Sequence, residues 1–173
     1  MKKSILSAIA FAFIMLLSTD VNAQKFAGLD KSPADISFYR TARNAPAIAK
    51  VVYSRPQLKG RDMSSLAPNG KVWRTGANES TEITFYQDVT FGGKAVKAGT
   101  YSLFTIPGDK EWTVILNADT GGWGAYGYNE ANDVARVSGS VSSGDAVEAF
   151  AIAFADGKMH MAWGTTRVAV AIN

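Results

Sequence analysis

The hairpin "FAIAFADGKMHMAW", residues 150–163, constrains this chain more than any other stretch. Phe150, Ile152 and Phe154 alternate with small residues. Asp156-Gly157, a dipeptide favoured in tight hairpin turns, follows, and Met159, Met161 and Trp163 then alternate in the same way. A period of two puts one row of side chains on one face of a sheet, whereas a helix needs a period near 3.6. The same rhythm recurs in "TEITFYQ", with Ile83 and Phe85 on one face and Glu82, Thr84 and Tyr86 on the other. It recurs in "AGTYSLFTIPGDKEWTVILN" around a Pro-Gly-Asp-Lys turn, and in the closing "RVAVAI". "ISFYR", "IAKVVYS" and "VTFGGKAV" add shorter strands. The sum is nine or ten strands with turn signals every 8–12 residues. Helix is limited to a turn in "DMSSLA" or "NEANDVA". The expected fold is all-β: one antiparallel β-sandwich, jelly-roll-like or Ig-like, with two long loops.

The first residues do not belong to that rhythm. Lys2 and Lys3, the apolar run "ILSAIAFAFIMLL" and the small-residue site ending at Ala23 have the order of an export signal. The run falls short of the roughly 20 residues a membrane span needs. The expectation is a signal peptide over 1–23 and one domain over 24–173, periplasmic or secreted, with no stable membrane span after cleavage. There is no cysteine, which leaves out disulfides and thiolate metal sites. Without Lys2, Lys3 and Asp20, 16 cations face 14 anions. That balance is too even to indicate a nucleic-acid partner.

Two segments break the strand pattern, residues 54–78 and 118–133. Loops this long in a compact domain are often functional. The first carries Arg55, Lys59 and Arg61, then "GKVWRTGANESTEITF" with Trp73, Arg74, Asn78 and Glu79. Counted from Ile83 and Phe85, Glu79 falls on the core side, where a carboxylate needs a partner. Arg74, across the Thr75–Asn78 turn, is the nearest cation. The expectation is a partly buried Arg74–Glu79 ion pair, with Trp73 on the other face as a ligand contact. The second segment, "GGWGAYGYNEAND", interleaves Trp123, Tyr126 and Tyr128 with glycines, a composition suited to stacking on sugar rings or on a protein.

The catalytic inventory is small. His160 is the single histidine and alternates outward between Met159 and Met161. A Ser-His-Asp triad or a transition-metal site therefore has almost no raw material. Asn129 to Asp133 lacks the spacing of a calcium loop. Neither a cofactor nor a metal is expected. Asp62, Glu79 and Glu82 are the carboxylates a metal-independent hydrolase would use, although Glu79 and Glu82 have opposite strand parity.

"YSRPQLKGRDM", "GKVWRTGANESTEITF", "AGTYSLFTIPGDKEWTVILN", "WGAYGYNEANDVARV" and "WGTTRVAVAI" together resemble the family catalogued as domain of unknown function 2911. The resemblance runs from about Leu29 to Ile172. It implies a single exported all-β domain of secreted bacterial proteins and brings no established activity. The residues point to a binding module for a small polar or anionic ligand or a glycan. Its cleft would be built from Arg55, Arg61, Trp73, Arg74, Asn78, Glu79, Trp123 and Tyr126. A hydrolase using Glu79 or Asp62, and a structural or assembly partner of envelope proteins, are the alternatives.

Overall fold

The computed structural model describes residues 26–173; the expected signal peptide lies outside them. Nine strands follow in chain order: β1 (Ala34–Tyr39), β2 (Ala49–Ser54), β3 (Thr81–Phe85), β4 (Val89–Phe91), β5 (Lys94–Val96), β6 (Gly99–Ile106), β7 (Glu111–Asn117), β8 (Asp133–Ala155) and β9 (Lys158–Ala171). One helical turn, α1 (Met63–Leu66), and a 3-10 turn at Glu130–Asn132 fall in the two segments where helix was expected. Seven strands form one sheet in the order β1-β2-β3-β6-β7-β8-β9, antiparallel throughout, and β4 and β5 pair separately. The all-β antiparallel class read from the alternation is the fold observed. Its two layers are opposite walls of one sheet that curls on itself.

The curl has a seam. The far half of β8 reaches the segment after β2, where Phe150 N–H donates to the Pro56 carbonyl and Leu58 N–H to the Glu148 carbonyl. Two side chains occupy backbone groups along the same edge. Tyr53 Oη accepts from Ile152 N–H at 3.0 Å, and Arg55 Nε donates to the Phe150 carbonyl at 2.9 Å. An edge with unmet backbone groups would be costly to bury, so these contacts close the wall.

The alternating apolar residues fill the space inside. Val51, Ile83, Phe85, Leu103, Leu116, Ile152, Met161, Trp163 and Val168 are all buried in one cluster. Trp73 sits among them, 6% exposed, stacked on Trp163 at 5.4 Å and 10° and edge-on to Trp112 and Phe150. This corrects the sequence reading. The alternation around Trp73 is real, but the face it occupies is the core face. Trp73 exchanges backbone hydrogen bonds with Thr105, which lays this segment along β6 and aims the indole inward. Trp73 is a core residue and not a surface for a ligand.

Candidate functional site

The outer face of the sheet carries a row that no single strand displays. The pairing registers align Ile36, Val52, Glu82, Ser102, Asn117 and Asp133 across β1, β2, β3, β6, β7 and β8. Residues in register on neighbouring strands share a face and stand about 4.8 Å apart. Four of the six are polar and adjacent. An outward polar row is ordinarily wet, yet Ser102 is 1% exposed and Asn117 fully buried. They are covered by the β7–β8 connection, residues 118–132, which crosses this face as a strap.

The strap is held at both ends. Asn117 Nδ2 donates to the Asn129 carbonyl at 2.9 Å and to Asp133 Oδ1 at 2.8 Å, and its Oδ1 accepts from Asp119 N–H at 2.9 Å. Tyr128 Oη donates to Asp133 Oδ2 at 2.7 Å, and Arg136 Nη1 reaches the same carboxylate oxygen at 2.7 Å. Burial, then the hydrogen bond to Asp133, pushes the Tyr128 phenol up to about 12. In its middle the strap runs alongside residues 78–80. Ser80 N–H donates to the Gly122 carbonyl, and Gly124 N–H to the Asn78 carbonyl, both at 2.9 Å. The Ser80 hydroxyl also donates to the Gly124 carbonyl. Glu82 Oε1 accepts from Gly121 N–H at 2.7 Å. Gly124 has φ +67°, and a Cβ there would stand 2.9 Å from the Tyr126 ring, so the position requires glycine.

That geometry removes the expected Arg74–Glu79 pair. Thr75 and Asn78 take positive φ, 56° and 60°, and the chain leaves the β3 alternation at this corner. Ser80 and Thr81 are both buried, so the count back from Ile83 fails, and Glu79 emerges into solvent bridged to Trp123. The four ion pairs among the described residues do not include it. Arg74 Nε is buried with no hydrogen-bond partner among the described residues, and its Nη1 lies beside Gly124. Thr75 is an unusual residue for that backbone, because a branched Cβ crowds it. It is fully buried, with its hydroxyl 3.2 Å from that of Thr105, and its carbonyl accepts from the Thr81 hydroxyl.

Two hollows flank the strap and share Ser80 and Gly122. The larger, about 250 Å³, is lined by Ala34, Val52, Tyr53, Ser54, Glu79, Glu82 and Gly121. The smaller, about 60 Å³, lies beneath the strap against Ser102, Phe104, Asn117, Asp119, Trp123 and Tyr128. Glu79 and Glu82 line one hollow despite their opposite parity, because the break at Ser80 lies between them. Above, Trp123 and Tyr126 stack on each other at 5.7 Å and 5°, 59% and 84% exposed.

The expected residues thus separate. Arg74, Asn78, Glu79, Trp123 and Tyr126 gather at the corner and the strap. Asn78 Nδ2 reaches Asp30 there, and the Ser32 N–H and Asn78 together hold the Asp30 carboxyl below its usual range. Arg55 is engaged at the seam, by Phe150 and by Asp35 at 3.2 Å. Arg61 binds the carbonyls of Leu58 and Gln57 in its own loop. Neither lines a hollow. Asp62 lines a separate, open depression with Asp109 and Trp112, apart from Glu79. His160 lies on β9 with Nε2 3.3 Å from the Ala155 carbonyl. Sequence reasoning missed Ser80, Ser102, Asn117 and Asp119. Asn117 closing a strand of apolar residues, directly before the long connection, was the available signal.

A family model described as protein of unknown function (DUF2911) matches residues 37–172. The chain belongs to this family. Both sides of the candidate site, the 74–82 corner and the strap, lie inside the DUF2911 match, as do all the strands from β2 onward. No curated protein and no solved structure matches the chain.

Proposed function

We propose that this DUF2911 chain is an exported carbohydrate-binding domain that holds a glycan against the strap on the outer face of its sheet. The observation that carries the reading is the exposed, parallel-stacked Trp123–Tyr126 pair, whose outer faces are free beside hollows lined by carboxylates and hydroxyls. Pyranose rings present apolar C–H faces that stack on aromatic rings, and rims of hydroxyls that donate well to carboxylates. Glu79, Glu82 and Asp119 are such acceptors. No lysine or arginine lines either hollow among the described residues, so an anionic ligand finds acid where it would need base. That chemistry favours the glycan over the anion among the ligands expected from sequence. The leader over residues 1–23 supports export to the periplasm or beyond.

The test is calorimetric titration of the mature domain, Gln24 to Asn173, with neutral oligosaccharides. Trp123→Ala combined with Tyr126→Ala abolishes the heat while circular dichroism stays unchanged. Undiminished binding by the double variant, or selective binding of organic anions, refutes the reading. Glu79 and Glu82 in one hollow also support a second reading, a two-carboxylate glycoside hydrolase. Reducing ends appearing with time, and lost in Glu79→Gln, would establish it. A bound but unchanged oligosaccharide leaves the binding domain.

A further inference from the structure

We infer that the hollow beneath the strap is a selectivity pocket for the primary hydroxymethyl arm of a hexopyranose, with Ser102 as its hydrogen-bonding group. The inference rests on the carbohydrate reading and adds to it which sugars the site prefers.

Both Nδ2 hydrogens of Asn117 go to Asn129 and Asp133, and its Oδ1 accepts from Asp119. One oxygen of Glu82 is taken by Gly121, and the Ser80 hydroxyl is given to Gly124. Ser102 stands in register between Glu82 and Asn117, 1% exposed, and its Oγ has no partner among the described residues. A buried hydroxyl left without a partner is destabilising, and such groups collect at functional positions. This one lines a hollow of about 60 Å³. That is room for a few waters or for a small polar group.

Size and polarity then select the occupant. A hydroxymethyl group has two heavy atoms, one of them a donor and an acceptor. A carboxylate or phosphate would face Asp119, and no lysine or arginine lines the hollow among the described residues. An ammonium needs three acceptors, and the hollow offers two uncommitted ones, the Ser102 hydroxyl and the second oxygen of Asp119. The walls suit a CH2 group: Phe104 and Tyr128 meet edge-on at 5.1 Å, and Gly124 and Gly127 keep the space open. A sugar stacked on Trp123, which lines the same hollow, has this pocket beside it.

The experiment compares cellohexaose with xylohexaose, whose rings differ by the hydroxymethyl group alone, by calorimetric titration. The native domain is expected to bind cellohexaose about tenfold more tightly, the scale of one well-made hydrogen bond in a dry site. Ser102→Ala brings the ratio near one. Ser102→Val, which fills the hollow, brings it below one, and circular dichroism confirms that both variants fold. Equal affinity in the native domain means that the hollow holds only water; the pocket is then refuted and the carbohydrate reading stands. Binding of neither oligomer refutes the pocket, and the carbohydrate reading falls with it if no other neutral oligosaccharide binds. A tenfold preference that persists in Ser102→Ala places the hydroxymethyl elsewhere and overturns the assignment.

Discussion

Replacing Asn117 tests whether the strap is a built part of the site or a loop resting on the sheet. The side chain is fully buried and makes three hydrogen bonds, two to neutral backbone groups of the strap and one to Asp133. Neutral bonds contribute about 1 kcal/mol each and a bond to a charged group about 2 kcal/mol, so Asn117→Ala is expected to cost about 4 kcal/mol. Part of that loss is recovered if the strap lifts and water reaches the freed groups. The expected result is therefore split: a drop of about 2–4 kcal/mol in urea unfolding, and much faster hydrogen exchange at the Asp119, Gly121 and Gly124 amides. Asn117→Asp is the sharper variant, because it keeps the shape and sets a carboxylate against Asp133. Mutual repulsion raises the proton affinity of that pair in the folded state. The added penalty is full at neutral pH and fades as the pH falls through the raised value. If Asn117→Ala costs under about 1 kcal/mol and leaves those amides unchanged, the strap is not anchored as described.

Three further outcomes follow from the same geometry. Trp73, Trp112 and Trp163 are buried and Trp123 is exposed, so acrylamide should quench one accessible component of the fluorescence, and Trp123→Phe should remove it. Arg74→Ala and Glu79→Ala should combine additively within about 0.5 kcal/mol in chemical unfolding; a coupling above about 1 kcal/mol would restore the ion pair expected from sequence. Tyr128 favours its neutral form in the fold up to about 12, against about 10 in an unfolded chain. Its contribution to stability is therefore complete below pH ~10 and lost as the pH rises toward 12. Ultraviolet titration of the phenols, with Tyr128→Phe as the control, should show one late-ionising group removed, while Tyr53, also raised by burial, remains.

The strands were legible because each declares itself locally. Ile83 and Phe85, or Met159, Met161 and Trp163, need only a period of two to reveal their face. The corner was not legible, because Ser80 and Thr81 are both buried and the alternation breaks between Glu79 and Ile83. Parity is a counting rule, and two consecutive buried residues end the count without a mark in the sequence. The polar row was hidden for a different reason. Glu82, Ser102, Asn117 and Asp133 come from four strands, and each occupies an outward position where a polar residue is unremarkable. Only the register places them side by side, and only the strap makes Ser102 and Asn117 dry. The aromatic content of the strap was plain in "GGWGAYGYNEAND", while its contact with Asn78 and Ser80 is a long-range pairing.

The arginines complete the argument about ligand class. On charge alone the chain is basic, with a net +3, and Arg55 and Arg61 read naturally as anion receptors. In the fold they serve the backbone. Arg40 donates to the Ala45 carbonyl, Arg55 to Phe150, Arg61 to Leu58 and Gln57, and Arg167 to Gly164 and Thr166. Each sits where a curled sheet or an irregular connection leaves carbonyls without a strand partner. A guanidinium has several donors in a rigid fork and suits that role. Arg136 is committed to Asp133 and Glu130. The carboxylates that line the hollows carry no such cation. A basic sequence therefore folds around hollows lined by carboxylates and by no lysine or arginine among the described residues, and that lining supports the proposed glycan over a phosphate or carboxylate ligand.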